Sequence, residues 1–189
     1  YFTDDMADFV NKVRMEGNIT NSTVNLKDIA FFAPALKGEN ISLKLNGKVK
    51  GIVSNLAAEE MRIEYGNLTA LSGELKIEGL PEVETTSYRL TNASAISAAK
   101  DLYTLLPSLK KTLGIDLVPM GAISFKGDVM ARGNNMDIKG LLSTALGSVT
   151  TLTTLKQIGT NALNYNSTGA INGLEAGKLL TIKQLGKIA

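Results

Sequence analysis

From Ile41 to Val53 the chain reads I-S-L-K-L-N-G-K-V-K-G-I-V, and every odd position is apolar or glycine. From Ser42 to Lys50 every even position is polar: Ser42, Lys44, Asn46, Lys48 and Lys50. Strict period-two alternation means a strand with one apolar face and one wet face. At ~3.3 Å per residue it would run about 40 Å, well beyond the usual five or six residues. A strand of that length suits a long curved sheet better than a small sandwich. The functional question is then what lies against its apolar face.

The rest of the chain repeats this theme. Thr3 is a suitable N-cap for a helix to about Arg14, with Met6, Phe9, Val10 and Val13 on one stripe and Gly17 after its end. Met15 to Val24 alternates as a strand, and Asn25 caps a short helix, Leu26 to Ala33, stopped by Pro34. After a turn at Ser54-Asn55, Met61 to Tyr65 and Leu71 to Gly79 alternate again, and Val83 to Leu90 does so more weakly. Ile96, Ala99, Tyr103 and Leu106 predict a helix over Ala95 to Leu106, ended by Pro107; Ser108 and Gly114 bracket one further turn. Gly121 to Gly133 alternates like the first long strand. Shorter strands are expected at Met136–Leu142, Ser148–Leu155 and Leu163–Ile171, then a helix over Leu174 to Gln184.

Aligning Gly47-Lys48-Val49 with Gly127-Asp128-Val129 brings out about two copies of a unit, one short helix and four or five strands. The expected fold class is mainly β with several short helices (α+β), an elongated curled antiparallel sheet. The expected divisions are 1–25, an N-terminal helix and strand; 26–107, the first repeat; and 108–189, the second. The abrupt ends lead to the expectation of a segment from a longer chain.

Composition removes most chemistry. The chain has 189 residues, no cysteine and no histidine, so disulfides, thiolate sites and the commonest base and metal ligand are absent. A net charge of +2, from 20 basic and 18 acidic residues, gives no footprint for nucleic acid. The carboxylate pairs Asp4-Asp5 and Glu59-Glu60 are sequence neighbours, which point in different directions and make poor acid–base pairs. Gly47 and Gly51 form Gly-x-x-x-Gly with no helix following, which reads as close backbone approach and not as a phosphate loop. Asn-x-Ser/Thr occurs at Asn18, Asn21, Asn40, Asn67, Asn92 and Asn166 and reads as turn chemistry rather than glycan attachment. An enzyme is not expected, nor is any cofactor or metal.

The apolar strand faces admit two readings. They pack on each other or on the helices as a closed core, or the sheet curls into a trough filled from outside. Long strands, 5% aromatics, no tryptophan and glycines along the apolar face favour the second. An exposed apolar surface of that extent needs a ligand or partner.

The runs Leu26 to Lys37, Leu45 to Gly51, Tyr65-Gly66 and Gly73 to Pro81, in that order, resemble the TamB (translocation and assembly module) family of AsmA-like proteins. Ala122 to Gly127, Thr144 to Val149, Gly177 to Leu180 and Leu185 to Ile188 are similar to successive segments of the same family. The resemblance implies a periplasmic segment of a very long protein anchored in the inner membrane of a Gram-negative cell outside this segment. It implies a taco-shaped β-sheet with an apolar interior, phospholipid as cargo, and an outer-membrane barrel of the TamA or BamA type as partner. The helices here depart from a pure β trough and would plug or flank it. The candidate lipid-lining residues are Ile41, Leu43, Leu45, Val49, Ile63, Leu75, Ile77, Ile123, Phe125 and Val129. The alternatives are a scaffold pairing its sheet edges with nascent outer-membrane strands, and a structural β domain with a closed core.

Overall fold

A computed structural model describes residues 6–29, 41–82, 84–107, 109–158, 164–180 and 186–188. It is mainly β. Nine strands form one antiparallel sheet: β1 (Met15–Asn25), β2 (Ser42–Ile52), β3 (Asn55–Tyr65), β4 (Thr69–Glu78), β5 (Ser87–Ala98), β6 (Ala122–Arg132), β7 (Asn135–Thr144), β8 (Gly147–Lys156) and β9 (Asn164–Asn172). Their order in the sheet is their order in the chain. β1 and β9 are the two edges and do not pair, so the sheet is open and not a barrel. The sheet runs unbroken past residue 107, through the ladder of β5 with β6. Two minor strands, β10 (Leu174–Glu175) and β11 (Lys187–Ile188), pair separately.

The long strand expected over 41–53 is β2, eleven residues. β3 and β5 are longer than alternation indicates, for a physical reason. Each contains a bulge, after which apolar residues change parity. In β3 the apolar face carries Leu56 and Ala58, then Met61 and Ile63, with the register shift between Ala58 and Met61. In β5 it carries Tyr88 and Leu90, then Ala93 and Ala95. A third bulge lies between Ile19 and Ser22 of β1. Each bulge holds one non-glycine residue at positive φ: Asn21 (46°), Glu60 (52°) and Asn92 (52°). Asparagine enters that region more readily than most residues. The backbone N–H of Asn21 donates to Asn46 Oδ1 at 2.8 Å, and that of Asn92 to Asp128 Oδ1 at 3.0 Å. Two of the Asn-x-Ser/Thr positions therefore serve as bulge residues.

The helices are short. α1 (Phe9–Lys12) and α2 (Leu26–Ile29) flank β1; α3 (Ala99–Leu105), α4 (Leu109–Leu113) and a 3-10 turn (Val118–Met120) link β5 to β6; α5 (Ala176–Leu180) follows β10. Among the described residues no helix is long and apolar enough to cross a membrane. Three expectations need correction. The helix expected from Ala95 begins at Ala99, because Ala95 to Ala98 pair with Phe125 to Ala122 and the ladder outweighs alanine's helix preference. The first helix ends at Lys12, and Gly17 lies inside β1, opposite Val49. Leu174 and Glu175 pair with Ile188 and Lys187 instead of opening the last helix. The expected cap at Thr3, the stop at Pro34, the strand starts at Val83 and Leu163, the cap at Ser108 and the helix end at Gln184 lie outside the described residues.

The main core sits at one end of the sheet, not under it. Ala99, Leu117, Met120 and Leu146 are buried together, packed by Leu102, Tyr103, Leu109, Ile115, Ile123, Leu174 and Leu179. Tyr103 ties this cap together. Its hydroxyl donates to Asp116 Oδ1 at 3.0 Å and accepts from the Leu117 N–H at 2.7 Å. The Val118 N–H also donates to Asp116 Oδ1, at 3.1 Å. These two hydrogen bonds, backbone first, hold the Asp116 carboxyl below the usual carboxylate range.

Candidate functional site: an apolar sheet face

Alternation within each strand and register between strands combine into rows that cross the sheet. The first row is Ser22, Leu45, Ile63, Leu71, Ala95, Phe125, Leu142, Val149 and Ile171. Eight of its nine members are apolar, one from each of β2 to β9. The second is Gly17, Val49, Ala58, Leu75, Leu90, Val129, Ile138, Thr153 and Ser167. The third is Met15, Gly51, Leu56, Ile77, Tyr88, Ala131, Met136, Leu155 and Tyr165. All three rows lie on the same face. Burial among these neighbours pushes the Tyr88 phenol above its usual pKa.

Between the first and second rows runs a row of small residues, in which Gly73 faces Met61, and Gly127 faces both Ala93 and Gly140. Side chains from beside it lean over the gaps. A Cβ on Gly140 would meet the Phe125 ring at 2.7 Å, and one on Gly73 would meet Leu90 Cδ1 at 3.1 Å. The bulges of β1, β3 and β5 fall on this line.

The ten candidate residues divide into two groups. Leu45, Ile63 and Phe125 stand in the first row, Val49, Leu75 and Val129 in the second, and Ile77 in the third. All seven are half-buried. The other three lie at the helical end. Ile41 and Leu43 are 7% and 8% exposed, packed by Ile63, Tyr65 and Leu105 of α3. Ile123 packs against the cap cluster. Sequence reasoning missed Leu56, Leu71, Tyr88, Leu90, Met136, Ile138, Leu142, Val149 and Leu155, which share the rows. β7 and β8 carry the clue in their own alternation, whereas in β3 and β5 the bulges hide it.

The opposite face is charged. Lys48 pairs with Glu60 at 2.6 Å, Lys50 with Glu59 at 2.5 Å, Arg62 with Glu64 at 2.7 Å and Lys76 with Glu78 at 2.7 Å. The hydrogen bond that Lys48 donates to Glu60 holds its ammonium above its usual range, and the one Glu78 accepts from Lys76 holds that carboxyl below its own. These pairs are solvated and add little stability. Their effect is to keep this face wet and so to set the polarity of the sheet.

A sheet with one apolar face ordinarily buries it against a second layer. Here the substantial contacts of the helices with the sheet join α1 to β2, α2 to β1 and α3 to β5, among the described residues. The three rows span eight interstrand steps, about 38 Å, and six residues along the strand, about 20 Å. That footprint is about 760 Å², and its side chains from β2 to β8 are half-buried rather than sealed. The chain as a whole exposes 12207 Å², against about 8,700 Å² for a compact monomer of this mass.

Hydroxyls on the apolar face lie at the helical end, where Thr69 donates to Asp101 Oδ2 at 2.7 Å and shares a hydrogen bond with Ser97 at 2.7 Å, and on the β8–β9 side. There the Thr151, Thr153 and Ser167 hydroxyls form a closed triangle at 2.6, 3.0 and 2.8 Å. No group of acidic side chains among the described residues could hold a metal ion. Comparison with known proteins returns no matching family model, no similar curated protein and no similar solved structure.

Proposed function

We propose that this chain is a periplasmic segment of a TamB/AsmA-like protein that binds or conducts phospholipid acyl chains along its apolar face. In this reading the role is not enzymatic. The sheet curls into a groove, with two degenerate units of helix plus strands sharing it, and the parent protein is anchored in the inner membrane and meets a TamA- or BamA-type barrel at the outer one. One observation carries the proposal: the apolar rows cross nearly the whole sheet with no second layer over their middle among the described residues. An acyl chain suits such a surface better than a folded partner does, because the second and third rows offer almost no hydrogen-bonding group between β2 and β7. Each methylene laid on it gains up to roughly 0.8 kcal/mol, and a surface of constant polarity lets a tail slide at nearly constant burial. The presence of Gly47 and Gly127 on the same line of the sheet supports the two-unit reading.

Photocrosslinking side chains placed one at a time at Leu75, Phe125 and Val129 should capture phospholipid from vesicles or cells. The same probes at Lys44 and Lys48, on the charged face, should capture little. Ile41 and Leu43, beneath Leu105, should label weakly. Equal labelling of both faces would refute the assignment.

A further inference from the structure

The charged face is not uniform. On β2 to β4 it carries five basic and five acidic residues, eight of them in the four pairs between neighbouring side chains described above. On β5 to β8 it carries Arg89, Lys126, Arg132, Lys139 and Lys156 against Asp128 and Asp137, a net charge of +3. None of these five cations makes an ion pair among the described residues. Large apolar side chains stand among them: Met130, Leu141 and Leu152 are 40%, 39% and 56% exposed.

A hollow of about 350 Å³ opens within this half. The β5 bulge sets Thr91 and Asn92 together against Asp128, and the short Thr91 side chain leaves room beside it. Arg89, Asp137 and Lys139 rim the hollow, and Met130 and Leu152 give it apolar surface. Both carboxylates are engaged within the sheet. Asp128 Oδ1 accepts from the Asn92 N–H at 3.0 Å, and Asp137 Oδ1 from the Thr154 hydroxyl at 2.6 Å. The Arg89 guanidinium and the Lys139 ammonium have no such partner among the described residues. The hollow lies inside the sheet, so strands added beside β1 or β9 would extend the sheet without covering it.

We infer that this half of the charged face docks an acidic, amphipathic segment of a partner protein. Its carboxylates meet Arg89 and Lys139, and one bulky apolar side chain enters the hollow between Met130 and Leu152. Charge complementarity selects this occupant: a surface of net charge +3 steers an acidic partner toward it and disfavours a basic one. Arginine and methionine are residue types that interfaces enrich, and an apolar anchor seated in a pocket is the usual form of a hot spot. A flat anionic bilayer fits less well, because it leaves the hollow unfilled and meets Asp128 and Asp137. The acidic stretch belongs over β5 to β8, since the adjoining hollow of about 200 Å³ over β3 and β4 presents Glu59 and Glu74. This surface lies opposite the apolar rows, and the inference stands whether or not those rows carry lipid.

The test uses the full chain and a synthetic probe, a peptide of alternating glutamate and serine with one central photoreactive benzoylphenylalanine. The peptide should bind the wild-type chain at low salt and weaken as salt rises. On irradiation it should attach at Met130 or Leu152, a readout that needs no variant. Arg89→Glu combined with Lys139→Glu should raise the dissociation constant about tenfold or more. Lys27→Glu combined with Lys44→Glu makes the same change of net charge at the β1–β2 end and should alter it by less than about twofold. All four positions are exposed, so both double variants should keep the wild-type circular dichroism. Absence of binding at high micromolar peptide overturns the inference. So does equal weakening in the two double variants, or attachment on the apolar face at residues such as Leu75. A chain that ignores the peptide, yet binds phosphatidylglycerol vesicles through Arg89 and Lys139, overturns it too.

Discussion

Replacing Gly51 with alanine tests whether close strand approach dictates the glycines of this sheet. Gly51 sits near the end of β2 at φ +127°, a backbone region that side chains rarely enter. A Cβ there would lie 2.2 Å from the Asn55 carbonyl oxygen and 3.3 Å from Leu56 Cα. Both atoms belong to the adjacent strand, so neither can swing aside as a side chain could. The backbone strain amounts to about 1–3 kcal/mol, and forcing the ladder apart to about 1–3 kcal/mol more. The sum, roughly 2–6 kcal/mol, is a large part of a typical stability of ~5–15 kcal/mol. With a urea m-value of about 2 kcal/mol/M, the unfolding midpoint should fall by about 1–3 M. Gly17→Ala is the control, in the same sheet. Nothing lies within 4 Å of its Cβ position and its φ is not left-handed. That change should be neutral or stabilise by ~0.4–1 kcal/mol through the unfolded chain. If the two variants unfold within about 0.3 M urea of each other, within the error of such measurements, steric exclusion is not why glycine stands at 51.

Leu105→Ala should destabilise by about 2–3 kcal/mol, since it removes packing over Ile41 and Leu43; hydrogen exchange at residues 41–45 should speed up, and lipid labelling at Leu43 should rise toward that at Val129. The helical cap should loosen in acid. Asp116 has a lowered folded-state pKa, so its contribution is complete above the unfolded value of about 3.9 and is lost as pH falls through the lower folded value. Tyrosine fluorescence should therefore report a transition below about pH 4, absent in Asp116→Asn; an unchanged transition in that variant would assign it elsewhere.

Alternation is a local property, and wherever it was unbroken it could be read directly. Ile41 to Val53, Leu71 to Gly79 and Gly121 to Gly133 each appear as the expected strand with the expected face. The Gly47 and Gly51 pair reads as close backbone approach, and their Cβ positions do meet the neighbouring backbone at 3.2 and 2.2 Å. Where a bulge inserts one residue, parity flips, and a local reading sees a short strand in β3 and a weak strand followed by a helix in β5. Ala95 to Ala98 illustrate the limit: alone they favour a helix, and the ladders with β4 on one side and β6, some 25 residues on, on the other keep them extended.

The sequence by itself therefore determined that this chain makes long one-sided strands, which face of most is apolar, and that histidine and cysteine chemistry is absent. Tertiary structure decided which strands are neighbours and how their faces align into rows. It also decided that the helices gather at the sheet's ends, bury Ile41 and Leu43 and pack on Ile123 while leaving the middle rows half-covered. Side-chain period fixes polarity residue by residue, but burial depends on what the rest of the chain brings to the other side.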